Sequence, residues 1–236
     1  MRNSSGHFPG LIRRIVVITA LSALTIVLAR AVLMVPPHGE GLSANVAENL
    51  TSSGVLHPLT AVLLNFRGYD TLLEIGVLLV AVMAVWSLDI QRTRQLRLKP
   101  PAHQNAVLRV GLGIILPVVV VAAGYMVWVG SYRPGGAFQS GALLGAAAVT
   151  LISSGMLITP FARSRMVRIL LASGFAFFMS VASATVIFKG RLLWYPIEWA
   201  GSIILVIETL LALSIGAALA VLFAGVAGLR NTEDRS

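Results

Sequence analysis

Ionisable residues interrupt a long apolar run in the N-terminal half of the chain. The block at 65–74 reads Asn-Phe-Arg-Gly-Tyr-Asp-Thr-Leu-Leu-Glu. On a helix, Arg67, Asp70 or Thr71, and Glu74 share one face, because residues three and four apart are neighbours. A nearby base lowers the cost of a carboxylate in lipid and gives a glutamate suited to proton exchange. These four residues are therefore candidates for an ion or proton path. The alternative is an ordinary helix entrance, with Arg67 and Asp70 among lipid headgroups.

A second carboxyl, Glu208, lies near the centre of the last apolar run. Its surroundings at 203–211 read Ile-Ile-Leu-Val-Ile-Glu-Thr-Leu-Leu, with no basic residue within one helical turn. A lone carboxylate in lipid is costly, so Glu208 must be neutral or paired with another helix, another subunit, water or a cation. It is therefore a second candidate for the ion path. The alternative is a protonated glutamate that hydrogen bonds to hold helices together.

The turn at 131–141 is the most distinctive motif: Ser-Tyr-Arg-Pro-Gly-Gly-Ala-Phe-Gln-Ser-Gly. Pro134 cannot continue a preceding helix, and Gly135 and Gly136 allow positive φ. The first N–H groups of the following helix then lie at its positive dipole end, which can hold an anion or a carboxylate from a neighbour. The alternative is a tight turn with no ligand. Gly141 and Gly145 follow, and they form a small face for close helix packing.

The elements that carry these residues are predicted to cross a membrane. The chain has 236 residues, of which 57% are hydrophobic and only 11% charged, too few charges to cover a soluble domain. About 20 apolar residues span the hydrocarbon core as a helix. The sequence therefore predicts an all-α membrane protein of about six transmembrane helices, at 15–35, 71–88, 107–129, 137–157, 167–188 and 199–222.

The basic residues favour one set of connections. Of the 18 lysines and arginines, 13 precede the first predicted helix, follow the last, or lie in the second-to-third and fourth-to-fifth connections and the first residues of the helices that follow them. The positive-inside rule then places both termini in the cytoplasm and predicts a multi-pass protein of the cell (inner) membrane. The net charge of +9 is thus a topology signal, and no nucleic acid partner is expected.

A basic stretch with Pro100 and Pro101 divides the chain into a two-helix module at 1–99 and a four-helix module at 100–236. The Gly/Ser/Asn-rich stretch at 36–54 is predicted to be irregular. The chain has no cysteine, its four histidines are scattered, and no nucleotide or nucleophile motif is present. We therefore expect no cofactor, no metal site and no catalytic residue, and a protein that is not an enzyme by itself.

The turn resembles the "SPGGGFQGG" turn of the B subunit (MnhB) of Mrp-type Na+/H+ antiporters, a four-helix membrane protein whose layout matches 105–229. The matching residues are Pro134, Gly135, Gly136, Phe138, Gln139 and Gly141, and Arg133 stands at the first position of the motif. Ala137 and Ser140 stand where that family usually has glycine. Glu208-Thr209-Leu210 occupies the place of an Asp-Leu-Gly segment in the family's last helix.

The block at 65–74 resembles the "DFRGFDTLGE" motif at the C-terminal end of the Mrp A subunit, a module that is a separate E subunit in membrane-bound hydrogenases. Asn65 and Leu73 depart from it. The retained residues are Arg67, Asp70, Thr71 and Glu74. The two motifs come in the order expected for adjacent modules.

The resemblance implies a membrane subunit of a multisubunit monovalent cation (Na+)/proton antiporter complex. It implies large antiporter-like subunits, membrane lipid, Na+ and H+ as partners, and it places Glu74 on or beside a cation or proton path, with Glu208 as a second acid. One alternative is an ion-translocating subunit of a membrane-bound hydrogenase or another redox complex related to complex I. A structural scaffold is the other.

Overall fold

The computed structural model describes residues 10–34, 41–89, 106–157 and 164–233, and these ranges contain helices and turns but no strand. The chain divides into two compact units, Met1–Ala44 and Asn45–Ser236. Eight α-helices and one π-helical turn, Val62–Phe66, occur in the described ranges. The α-helices are α1 (Gly10–Leu33), α2 (Ser43–Ser53), α3 (Pro58–Ala61), α4 (Gly68–Asp89), α5 (Ala106–Val129), α6 (Ala137–Ser153), α7 (Arg165–Lys189) and α8 (Ile197–Glu233).

The first unit contains α1, a continuous helix over most of the first predicted span. Its segment Arg14–Leu33 is 20 residues long and apolar, which is long enough to cross a bilayer. Apolar side chains along it are exposed within the chain, as Ile18, Val27 and Leu33 illustrate. An exposed apolar surface of this kind fits a helix whose surroundings are lipid or another protein.

In the second unit, α4 to α8 run alternately up and down. At one end, the backbone N–H of His57, just before α3, donates to the Ser131 carbonyl just after α5. At the same end, the Tyr195 hydroxyl, between α7 and α8, donates to the Leu64 carbonyl in the π-helical turn. At the other end, the Arg168 guanidinium near the start of α7 lies 5.7 Å from the Trp86 ring near the end of α4. The α3–π segment, the Ser131–Gly136 turn and the α7–α8 loop therefore share one end.

Helix α8 forms the centre of this unit. Its 37 residues make a helix of about 55 Å, with Ile204, Ile207 and Leu211 almost fully buried. Helix α6 packs against it through glycines: a methyl group at Gly141 would lie 2.7 Å from the Ile215 side chain. The predicted small-residue face of α6 is thus a close contact with α8, as is usual for helices packed within membranes.

Five helices are long and apolar enough to cross a membrane: the segments are Arg14–Leu33, Gly68–Ser87, Ala106–Val129, Arg165–Lys189 and Ile197–Gly225. The sixth predicted span, at 137–157, corresponds to α6, an apolar helix of 17 residues. Pro117 lies inside α5, which continues through it from Ala106 to Val129. The chain is a multi-pass membrane protein of the all-α class.

One expectation was wrong: part of the stretch predicted to be irregular is helical. Ser43–Ser53 forms α2, in which Val46 and Leu50 are partly buried and Ser53 is fully buried. These residues recur at i, i+4 and i+7, the spacing of one helix face. The composition of this segment alone argues against a helix, so it is the packing of that face that stabilises one here. The Pro100-Pro101 linker lies outside the described residues.

Candidate functional site: a buried carboxyl in the membrane-spanning bundle

Glu208 is buried inside the bundle, with only 4% of its surface exposed. It lies about 16 Å along α8 from Ile197, roughly halfway through the span that ends at Gly225. Its neighbours on the same face, Ile204 and Leu211, are fully buried. The spacing of apolar residues in α8 therefore places the carboxyl against other helices and away from lipid.

The carboxyl of Glu208 lies against the turn that opens α6. Gly136 has φ +111°, which favours glycine, and a methyl group there would be 2.6 Å from Glu208 Oε1. A methyl group at Gly130 would be 2.9 Å from Glu208 Oε2. The turn is closed by the Gly136 N–H, which donates to the Met126 carbonyl at 2.8 Å. The two glycines thus make the space that the carboxyl occupies.

The two carboxyl oxygens differ in their partners. The Ala137 backbone N–H, in the first turn of α6, hydrogen bonds to the Glu208 carboxyl. Oε2 is buried and has no hydrogen-bond partner among the described residues, so the Ala137 bond is made by Oε1. The positive end of the α6 dipole adds to this interaction. The carboxyl is therefore held on one oxygen, while the other remains available to a ligand or a proton.

The π-helical turn Val62–Phe66 forms the opposite wall. A π-helical turn leaves carbonyls without the usual helical donor, and side chains supply donors for two of them here. Thr71 Oγ1 donates to the Leu63 carbonyl at 2.7 Å, and Tyr195 Oη donates to the Leu64 carbonyl at 2.9 Å. Thr71 is thus buried beside this turn and holds it in place.

A small cavity separates these walls. It has room for about one water-sized particle. The polar side chains in its lining belong to Thr60, Thr71, Gln139 and Glu208, and the remaining lining residues are Leu59, Leu63, Leu64, Gly135, Gly136, Ala137, Phe138 and Leu211. The structure therefore brings together Thr71, Glu208 and the turn at the start of α6, which lie in three separate parts of the sequence.

The other predicted path residues lie elsewhere. Arg67 and Asp70 form an ion pair of 2.5 Å, with side chains 55% and 33% exposed. Arg67 lies outside α4, at the break after the π-helical turn. Glu74 is exposed about 9 Å along α4 from Gly68, and none of the described residues forms a hydrogen bond or ion pair with it. Of the two residues predicted to share a face with Arg67 and Glu74, Asp70 pairs with Arg67 and lies four residues before Glu74 on α4, whereas Thr71 is buried.

The remaining motif residues surround the cavity or pack nearby. Arg133 and Pro134 are exposed on the turn. Phe138 and Gln139 line the cavity, and the Gln139 side chain is exposed. Gly145 packs against Leu219 on α8. None of the described residues forms a cluster of histidines and carboxylates suited to a transition metal or divalent cation.

Two residues of the site were not predicted from the sequence. Thr60 donates its hydroxyl proton to the Gly130 carbonyl at 2.5 Å, and Tyr195 caps the π-helical turn. Burial raises the pKa of the Tyr195 hydroxyl, so it remains a donor at physiological pH. Tyr195 lies in an aromatic cluster at a helix end that is typical of membrane-interface anchors. No local signal distinguishes it from Trp194 or Trp199.

Comparison with known proteins identifies the family of the C-terminal part. Residues 107–227 match the family model described as "Domain related to MnhB subunit of Na+/H+ antiporter". No curated protein matches the sequence. The matched segment includes the turn at the start of α6 and Glu208, but neither α3 nor Thr71.

Two solved structures share the fold. One is a chain of the membrane-bound sulfane sulfur reductase (MBS), described as an archaeal respiratory membrane complex. It has a TM-score of 0.67 and 20% identity, and the match covers 91% of this chain and 98% of that one. The other is a chain of the Mrp complex from Dietzia sp. DQ12-45-1b. It has a TM-score of 0.64 and 22% identity, and the match covers 95% of this chain and 26% of that one.

This chain thus spans about a quarter of the Mrp chain that it matches and nearly all of the MBS chain. The family match rests on 121 of 236 residues, counted from 107 to 227, which is more than half of the sequence. The chain therefore belongs to the family of membrane proteins related to the MnhB subunit of Na+/H+ antiporters.

Proposed function

We propose that this chain is a membrane subunit of a multisubunit monovalent cation (Na+)/proton antiporter complex in the cell (inner) membrane. The observation that carries the proposal is the buried Glu208 carboxyl, held on the first turn of α6 inside the MnhB-related segment. An ionisable group at membrane depth is costly, and this one is built into a shaped site. Glu208 takes part in proton or cation movement through the complex.

Glu74 is the second acid in the proposal, and its position indicates a different role. It is exposed within the apolar span of α4, beside Leu73 and Val77, which are 65% and 68% exposed. A carboxylate facing lipid is unfavourable, so a neighbouring subunit covers Glu74 in the complex. A path that uses Glu74 therefore runs between α4 and that subunit, and a path that uses Glu208 runs inside this chain.

We also propose the two-module organisation, with an A-end module at 1–99 and a B-type module at 100–236. More than 90% of this chain aligns with a single chain in each of the two solved structures. That coverage supports the presence of both modules, in this order, in one polypeptide. The partners in this proposal are large antiporter-like subunits, membrane lipid, Na+ and H+.

The proposed topology places both termini in the cytoplasm and counts α6 as a sixth span. Arg165 and Arg168 lie at the end of the bundle where Trp86 is found, and Arg109 lies in the first turn of α5 at that same end. Arg67, Arg133, Lys189 and Arg191 lie at the opposite end. Counted along the sequence, the connection between α4 and α5 adds Arg92, Arg94, Arg97 and Lys99 to the first end, and this excess supports its assignment to the cytoplasm.

A redox-driven membrane complex is the second candidate. The fold of this chain matches nearly the whole length of a chain from a respiratory complex, MBS, with the higher of the two TM-scores. In that setting this chain would move ions in response to redox chemistry carried out by other subunits. A structural scaffold, in which Glu208 only joins α6 to α8, is the third.

One experiment separates these candidates. The intact complex is purified through this chain in mild detergent, its subunits are identified by mass spectrometry, and it is reconstituted into proteoliposomes. Antiporter-like subunits without redox proteins, together with proton movement driven by a Na+ gradient, support the proposal. Iron–sulfur or hydrogenase-like partners select the redox-driven complex. Glu74→Gln and Glu208→Gln variants that transport at the full rate would leave only the scaffold.

A further inference from the structure

Side chains in the lining of the cavity beside Glu208 carry oxygen atoms that can still accept hydrogen bonds. The Thr60 hydroxyl gives its proton to the Gly130 carbonyl, and the Thr71 hydroxyl gives its proton to the Leu63 carbonyl. A hydroxyl has one proton and two lone pairs, so both threonines retain acceptor capacity. Oε2 of Glu208 is a third acceptor with no donor. Gln139, whose side chain is exposed, is the other polar side chain of the lining.

The two threonine hydroxyls are already hydrogen bonded, but an ionised Glu208 needs a positive or proton-donating partner for Oε2. Buried acceptors without a donor cost free energy, and a carboxylate costs most. Protonation of Glu208 removes the negative charge and gives Oε2 an O–H group that can donate a hydrogen bond. A bound cation also neutralises the carboxylate, because hydroxyl and carboxylate oxygens are ligands for hard cations. The proton and the cation use the same oxygen, so they exclude each other.

The charge of the residues that line the cavity determines the charge of the cation that it can hold. Glu208 is the only titratable residue among those that line it. The other ionisable groups on the elements around it are His57 before α3, Arg67 before α4, Asp70 and Glu74 on α4, and Arg133 on the turn; all are outside the lining and partly or fully exposed. One carboxylate neutralises one positive charge, so a monovalent cation leaves the membrane interior neutral and a divalent one does not.

From these observations we infer that the cavity formed by Thr60, Thr71, Glu208 and the first turn of α6 is a binding site for one Na+ ion, which competes with the proton of Glu208. Ala137 holds Oε1 and leaves Oε2 without a hydrogen-bond partner. The inference rests on the proposed function and deepens it, because it names where the two ions exchange. All of the residues named in the site belong to this chain.

The test uses the purified complex and dicyclohexylcarbodiimide, a reagent that modifies protonated carboxyls in apolar surroundings. The labelling rate of Glu208 is measured by mass spectrometry with NaCl or with choline chloride at equal ionic strength. At about ten times its half-saturating concentration, Na+ leaves roughly a tenth of the sites free, so labelling slows about 10-fold.

For a single competing proton, one unit lower pH raises the half-saturating Na+ concentration by up to about 10-fold. Equal rates in both salts would overturn the proposal.

A transport measurement provides an independent arm if the reagent does not reach Glu208. Glu208→Asp retains the charge but withdraws the carboxylate by one methylene. Because a misplacement of about 1 Å costs a binding site heavily, we expect the half-saturating Na+ concentration to rise about 10-fold or more. The matched control is Thr209→Val, the next residue on α8, whose exposed hydroxyl bonds only to the Leu205 carbonyl. An unchanged Na+ dependence in Glu208→Asp would overturn the proposal.

The two proposals fail separately. If the wild-type complex moves protons in response to Na+, but Na+ does not change the labelling rate of Glu208 and Glu208→Asp keeps the wild-type Na+ dependence, the antiporter function stands and this site is wrong. If the wild-type complex shows no such coupling and Na+ still protects Glu208, the site stands and the antiporter function is wrong.

Discussion

Glu208 Oε1 and Gly136 are so close that a methyl group on the glycine would lie 2.6 Å from the oxygen. The contact joins α8 to the turn at the start of α6, and the two residues are 72 positions apart in the sequence (208 − 136). It explains why the carboxyl can reach the Ala137 N–H. A side chain at Gly136 must displace the carboxyl from that position.

Gly136→Ala is therefore expected to abolish most Na+-coupled proton movement, to below about a tenth of the wild-type rate. The control is Gly190→Ala, because Gly190 also has positive φ (+68°) but open space around it. Both variants carry backbone strain of about 1–3 kcal/mol, Gly190 in the left-handed region (φ 68°, ψ 9°) and Gly136 in a region almost confined to glycine (φ 111°, ψ −168°). Only the Gly136 variant also moves the carboxyl. Equal transport rates in the two variants would show that the contact is unimportant.

A second prediction concerns Glu74. Because it is exposed on α4 and a neighbouring subunit is proposed to cover it, Glu74→Gln is expected to abolish Na+-dependent proton exchange and leave assembly intact. Glu198→Gln, in the first turn of α8, is the control at an exposed glutamate. Transport in proteoliposomes and the subunit content of the purified complex are measured together. Full transport in Glu74→Gln would remove this residue from the path.

The helices and their order were largely predictable, because apolar runs of about 20 residues have one stable form in lipid. The site was predictable only in pieces. Proline and two glycines marked the turn at the start of α6, and the isolated charge marked Glu208. The sequence does not reveal that these two meet, because the meeting depends on the packing of α6 against α8 through Gly141 and its neighbours.

The arrangement around Thr71 could not be predicted for a different reason. Helical periodicity leaves two choices for the residue that shares a face with Arg67 and Glu74, namely Asp70 or Thr71. The chain breaks at Arg67 after the π-helical turn Val62–Phe66, where Arg67 pairs with Asp70 and Thr71 bonds to the Leu63 carbonyl. Such a turn is stabilised by hydrogen-bond donors that are distant in the sequence, here including Tyr195, so no local sequence pattern predicts it. The result is that Thr71 is buried and Glu74 is exposed.

A third prediction tests the packing of α6 on α8. Gly141→Val places bulk within 2.7 Å of the Ile215 side chain, and overpacking of this kind costs about 1–3 kcal/mol. We expect a lower thermal unfolding midpoint in detergent. Gly113→Val on α5 is the control, because nothing lies within 4 Å of a methyl group there. Combining Gly141→Val with Ile215→Ala should restore part of the lost thermal stability. An unfolding midpoint that does not recover would argue against a direct contact between the two residues.

The last prediction concerns the hydroxyl that caps the π-helical turn. Tyr195→Phe removes the donor to the Leu64 carbonyl and leaves that carbonyl unsatisfied, which costs about 1–3 kcal/mol. Tyr132→Phe, at an exposed tyrosine, is the control and should change the unfolding midpoint little.

The difference in stability between the wild type and Tyr195→Phe depends on pH. Burial raises the pKa of Tyr195, so the folded state holds this proton more tightly than the unfolded state, whose tyrosines titrate near pH ~10. The stabilisation is complete below that pH and is lost as the pH rises above it towards the folded-state pKa. The stability difference between the wild type and Tyr195→Phe should therefore shrink above pH ~10. A difference that stays constant to higher pH would mean that the hydroxyl is not buried as a donor to Leu64.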